Sequence, residues 1–417
     1  VKRMYSRKLI IVTIVIFFIS MVSAYGDKLI KEEWEKTLCK KGNLSQRAYS
    51  IIETKDHAYL AAGSTSVPGK LVSSKNAWIV KFDKSGKIQW DRIFGDKHES
   101  EAFCVIQTRD GSYAFTGYCS AKDNRIDNDI WVVKLDVKGS LQWEKSFGAK
   151  NDDKASSIIQ TKDGGYVVVG YSETEPKSGK LKDVKKNIWI LKLDANGNKQ
   201  WDKKIGREDR NDKATAVVLA HDNGYVVAGY TASEGKGWSR FWVVKFDEKG
   251  NSVWKKSFEN NFNHEYALSL ISTQDGGYML AGYTWSDSFG KKMKVYKISA
   301  TGDLQWDRSY ADEFGTLAYS ITQIEDGGYL LAGKAEHFVK VLESNGKWST
   351  YYYPKILLLR LSAEGKELWS QDLGKGDPRS IIKTKEGKYI MAGLRLTSSI
   401  PAKSDKYFMI MKFEIEK

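Results

Sequence analysis

ASSIIQT (155–161), KDGG (162–165) and YVVVGYS (166–172), then WILKLD (189–194), ANGN (195–198) and KQWDKKIG (199–206), make one unit in the middle of this chain. ASSIIQT and YVVVGYS are short runs rich in β-branched and aromatic residues, which suit a pleated, half-buried strand. Between them Asp163-Gly164 centres a four-residue turn, where glycine takes positive φ without a Cβ clash. The pair predicts a hairpin. WILKLD predicts a third strand and KQWDKKI a fourth, turned by Asp194-Ala195-Asn196-Gly197.

The unit recurs. Its closing tryptophan returns as Trp34, Trp90, Trp143, Trp201, Trp254, Trp306 and Trp369, spaced 52 to 63 residues apart. Seven copies at this period predict an all-β fold, a seven-bladed β-propeller with four-stranded blades. The hairpin turn returns as Asp110-Gly111, Asp275-Gly276 and Asp326-Gly327, and in weaker form as Asp56-His57 and Glu386-Gly387. The inner strand opens on Ala48, Ala102, Ala155, Ala214, Ala267 and Ala318. Two residues on stand Ser50, Cys104, Ser157, Ala216, Ser269, Ser320 and Ser380, all small, as strands crowded round an axis require. Trp34 lies in EEWEKTL (32–38), a fourth strand with no strand before it. The last unit has an inner, a second and a third strand but no fourth. The N-terminal strand is therefore expected to complete the C-terminal blade, which hides both edges. Residues 25–417 are expected to form this one domain.

Lys2, Arg3, Arg7 and Lys8 precede an uncharged apolar run, Leu9 to Val22, and the small residues Ser23 and Ala24. Residues 1–24 thus predict an export signal. Their apolar core is shorter than the ~20 residues of a spanning helix. A secreted, cell-surface or periplasmic monomer is expected, touching a membrane only through an uncleaved N-terminal segment. The formal charge is +14, but lysines are spread through every repeat rather than clustered. That pattern predicts a solvated basic surface and no nucleic-acid partner.

Cys104 and Cys119 fall on one hairpin, diagonal rather than opposite, so a disulfide is not expected there. Cys39 has no assigned role. The histidines show no metal-ligand spacing, and no metal is expected.

Function is expected on the face that carries the variable loops between strands two and three, at 64–77, 119–130, 172–188, 231–241, 284–293, 334–355 and 394–406. Eleven of the 14 tryptophans belong to the strands. The other three, Trp238, Trp285 and Trp348, lie in these loops in blades four, five and six, with Tyr351 and Tyr352. Aromatics among polar neighbours suit sugar stacking or a protein interface. The polar segments entering the inner strands, with Asp153, Asp212, His264 and Glu265, are expected to ring the mouth of the central channel. Carboxylates there suit acid–base work.

The units DGGYVVVGYS and WILKLDANGNKQW resemble propeller repeats of exported bacterial and archaeal proteins. More distantly, Asp136, the turn glycine Gly139 and Trp143 are similar to the blade motif of quinoprotein dehydrogenases and related periplasmic assembly propellers. Here the turn is a residue shorter, the repeats number seven rather than eight, and no adjacent cysteine pair occurs. No cofactor is expected. The leading expectation is a binding module for a glycan or an envelope protein. The alternatives are a polysaccharide-active lyase or hydrolase and a quinoprotein-like oxidoreductase.

Overall fold

The computed structural model describes residues 29–39, 45–66, 75–95, 99–120, 127–148, 150–175, 184–207, 209–232, 238–258, 264–288, 290–310, 315–343, 347–398 and 405–416. The expected export signal lies outside them. Every regular element among the described residues is a strand.

Blade three shows the plan. Its strands are Asp153–Gln160, Tyr166–Glu173, Lys186–Leu193 and Lys199–Ile205, joined in that order as an antiparallel sheet. Gly164 turns the hairpin at φ 85°. Where that glycine is missing, His57 and Asn223 take the same conformation at φ 57° and 65°. Each inner strand carries a bulge just after its opening alanine, as between Ala155 and Ser157, or after Pro378 in blade seven. The small residue beyond the bulge then stitches neighbouring inner strands together. The Ile381 N–H donates to Ser320 Oγ at 3.1 Å, and the Val105 N–H donates to Ser50 Oγ at 3.3 Å.

Blades six and seven share one continuous strand, Glu367–Lys383. Its first part pairs with Trp348–Leu361 as the outer strand of blade six, and its second part pairs with Tyr389–Leu396 as the inner strand of blade seven. The expected loop 334–355 is also largely strand. Tyr329–Leu342 and Trp348–Leu361 pair without a break from Tyr329↔Leu361 to Leu342↔Trp348, so the segment is a long hairpin. Its arms carry Phe338, Val339 and Val341 against Thr350, Tyr351 and Tyr352, aromatic and β-branched types that favour continued pairing.

The ring closes as expected. Ile30–Leu38 pairs with Lys406–Ile415 as the fourth strand of blade seven. Seven apolar clusters occupy the seven blade-to-blade interfaces. The one between blades seven and one joins Phe408 and Ile410 to Ala48, Tyr59 and Trp78. Each outer-strand tryptophan docks on the next blade. A Cβ at Gly139 would stand 2.8 Å from the Trp90 ring, and Trp90 also packs on Tyr113 at 6.0 Å. Trp143 meets Gly197 and Tyr166 in the same way, and Trp34 meets Gly86 and Tyr59 across the closure. Burying such rings contributes roughly 25 cal/mol per Å².

A second repeated device was not expected. In every blade a cation of the third strand, buried in all but Lys245, reaches the acidic residue of the hairpin turn: Lys81–Asp56, Lys134–Asp110, Lys192–Asp163, Lys245–Asp222, Lys297–Asp275, Arg360–Asp326 and Lys412–Glu386.

Candidate functional site

Strand alternation decides which residues at the loop end of the inner strands meet solvent. Two residues before the opening alanine stand Gln46, Ser100, Asp153, Asp212, Glu265 and Thr316, all buried. At Ser100, Asp212 and Glu265 the polar groups tie chain segments together. Ser100 Oγ accepts the Ala77 N–H at 3.0 Å and donates to the Phe94 carbonyl at 3.0 Å. Asp212 accepts the Thr231 hydroxyl and the Ala232 N–H at 2.7 and 2.8 Å. Glu265 accepts the Tyr296 hydroxyl at 2.8 Å.

This corrects the expectation for the channel mouth. Asp153, Asp212 and Glu265 are each 0% exposed. The strands begin earlier than the sequence suggested, so these side chains turn between blades. Of the four expected residues only His264 is partly open.

The next position, one before the alanine, packs on the preceding blade. Lys154 Nζ lies 4.3 Å from the Tyr118 ring, Lys213 Nζ lies 5.3 Å from Tyr171, and the Tyr266 ring lies 4.8 Å from Tyr230. Those three tyrosines, with Tyr283, follow a strand glycine as Gly-Tyr at 117–118, 170–171, 229–230 and 282–283. That recurring dipeptide is the signal for them in the sequence.

Around Tyr230 and Tyr266 a polar cleft of about 720 Å³ opens between blades three, four and five. Glu173, Lys186, Arg210 and His264 also line it. Trp238 packs edge-on against His264 at 4.7 Å, and Trp285 lies against the same ring at 5.5 Å. Trp285 is the strand partner of His264, which fixes this neighbour by register. Both indoles remain 36% exposed. The Ser239 N–H donates to His264 Nδ1 at 3.2 Å, which leaves Nε2–H as the donor the neutral ring offers. Burial holds the imidazole pKa below its usual value despite the Asp287 charge. The site therefore offers two exposed rings around a neutral hydrogen-bond donor.

The blade-six aromatics stand elsewhere. Trp348 is the last paired residue before the tip of the long hairpin and is 69% exposed. Tyr352 pairs across from Phe338, and the Tyr351 hydroxyl donates to Glu343 at 2.5 Å. The structure thus gathers Trp238 and Trp285 around His264, a residue of the cleft wall, and puts Trp348, Tyr351 and Tyr352 on a separate arm.

Beside the cleft three lysines converge on two tyrosines. Lys186 Nζ is 4.5 Å from the Tyr171 ring that Lys213 also covers. Lys154 pairs with Asp152 at 2.9 Å and Lys186 with Glu173 at 3.6 Å. Burial, then the Lys186 and Lys154 charges, take the Lys213 ammonium down to about 8.

No family model matches the chain. A 155-residue stretch is 23% identical to the regulatory protein FlaEY of Caulobacter vibrioides, covering 32% of this chain and 16% of that protein. A solved protein of unknown function from Dyadobacter fermentans superposes with a TM-score of 0.52 at 11% identity, over 93% of this chain and all of the other. The Dos1 propeller superposes with a TM-score of 0.47 at 10% identity, over 93% and 95% of the two chains. The likeness is one of fold.

Proposed function

We propose that the protein is an extracytoplasmic binding module for a glycan, seated in the cleft between blades three, four and five. The observation that carries this reading is the pair of exposed indoles flanking His264 at 4.7 and 5.5 Å. Aromatic faces gain by covering the C–H faces of a pyranose, and buried-rim donors meet its hydroxyls. Tyr230, Tyr266 and Arg210 line the same cleft and suit that second task. The enzyme reading loses support because three of its four acid–base candidates are enclosed and engaged within the fold. A glycosidase needs two carboxyl groups roughly 5–10 Å apart and open to the sugar.

The test is a glycan screen with residues 25–417, followed by the double variant Trp238→Ala/Trp285→Ala. Affinity should fall at least about tenfold, as for loss of stacking anchors, with the melting temperature held. Trp348→Ala should leave affinity unchanged. Undiminished binding by the double variant would overturn the reading.

A further inference from the structure

Lys213 is the exception among equivalent residues. The charged residues at its repeat position are Arg47, Glu101, Lys154, Lys213 and Asp377. Arg47 lies 3.7 Å from Asp377, Asp377 also holds Arg379 at 2.6 Å, Glu101 holds Lys75 at 2.8 Å, and Lys154 holds Asp152. Among the described residues no carboxylate pairs with Lys213. Among the described residues the charges that act on Lys213 are those of Lys186 and Lys154, whose own carboxylate partners are Glu173 and Asp152.

Such an arrangement costs stability. Holding a half-buried ammonium beside two like charges is unfavourable unless something negative is supplied. The tyrosine faces under these lysines compensate only in part. The site is also reachable. Lys213 is partly exposed, and its strand partner Tyr230 lines the cleft together with Lys186. Lys186 lines the cleft and shares the Tyr171 ring with Lys213, so a charged group bound at Lys186 falls within the field of the Lys213 ammonium.

Building on the glycan reading above, we infer that the cleft selects an acidic saccharide. Its carboxylate or sulfate group is held by Lys213 with Lys154 and Lys186 alongside. Stacking on the tryptophans would then supply affinity for the sugar ring, and the lysines would choose the charged one. Uronates and sulfated sugars share this chemistry.

The experiment has three arms on residues 25–417. Calorimetry compares trigalacturonate, a sulfated heparin trisaccharide and neutral cellotriose. An acidic sugar should bind about tenfold more tightly than the neutral one, the worth of one charge-assisted contact. Lys213→Gln should erase that gap and leave cellotriose binding unchanged, and Lys213→Arg should restore it. Which acidic sugar binds better separates the carboxylate from the sulfate. Equal affinities for all three, or a preference that survives Lys213→Gln, would overturn the inference. The third arm titrates inorganic sulfate against protein bearing ¹³C-methylated lysines. A saturable shift of the Lys213 signal supports the anion site even if every sugar fails, in which case only the glycan reading falls. No shift, with no sugar preference, removes the anion site as well.

Discussion

Lys192 Nζ donates to Asp163 Oδ2 at 2.7 Å, from a side chain only 2% exposed to one that is 54% exposed. The contact locks the hairpin turn of blade three onto its third strand, and Lys192 also donates to the Leu193 carbonyl at 3.1 Å. The asymmetry in burial gives the two halves of the pair different worth. Removing the carboxylate strands a buried ammonium, whereas removing the ammonium lets the carboxylate return to water. Asp163→Ala should therefore destabilise by about 2 kcal/mol, less than for a wholly buried pair. Lys192→Met should cost under about 1 kcal/mol, because the stem is apolar and similar in volume. Urea midpoints at constant m-value check this, and equal losses would contradict it.

The same clamps set the acid limit of the fold. Burial pushes the Asp110 carboxyl up, but the Thr108 hydroxyl, the Lys134 ammonium and the Ser112 N–H outweigh it and hold it at about 2. Asp275 is held at about 2 by Thr273, Lys297 and Gly277 in the same way. A carboxyl whose pKa is lowered on folding contributes stability that is complete above its unfolded value near 3.8 and is lost as pH falls towards 2. The melting temperature should hold as pH drops from 7 to about 5 and decline from about 4 to 2. The double variant Asp110→Asn/Asp275→Asn should be less stable at neutral pH and show a shallower acid decline. An unchanged slope would assign acid sensitivity to other groups.

Two turn glycines separate backbone strain from docking. Gly139 and Gly276 both have φ of 80°, so an alanine at either meets the same unfavourable backbone. Around Gly276 nothing lies within 4 Å of an added Cβ, while at Gly139 the Trp90 ring stands at 2.8 Å. Gly276→Ala should cost about 1 kcal/mol. Gly139→Ala should cost about 1–3 kcal/mol more, because the indole that joins blades one and two must shift. Similar losses would show that the ring yields without penalty.

What could be read beforehand followed from repetition. Trp90 and its counterparts, the Asp163-Gly164 turn and the unpaired strand around Trp34 each recur or stand out against a recurring unit, so they gave the blades and the closure. Lys192 and its counterparts recur as a Lys or Arg in every third strand, but nothing in a single strand marks that cation as buried. Its partner is hidden as well, because the pair joins residues 29 positions apart through a turn. The site was less legible. Trp238 and Trp285 were found as tryptophans outside the repeat, but their meeting at His264 depends on the strand register. Asp153, Asp212 and Glu265 were misplaced because a short polar run does not reveal whether it is loop or the first residues of a strand. Lys213 looked like one more surface lysine until its neighbours supplied two further cations.

Closure by the N-terminal strand gives the last prediction. Glu35 pairs with Arg395 of blade seven, Glu33 lies 3.3 Å from Lys412, and Trp34 covers Gly86 and Tyr59 of blade one. This one strand therefore joins blade seven to itself and to blade one. Without it Lys406–Ile415 becomes an open edge, and the docking surface on blade one is bare. Deleting residues 25–40 should give aggregated or partly folded protein. Trp34→Ala, which keeps the strand pairing, should remain soluble and lose about 3 kcal/mol, as for a large ring cut back to a methyl group. Gel filtration and thermal melting distinguish these outcomes. A soluble deletion with an unchanged melting temperature would mean that the ring is held shut by the blade interfaces alone.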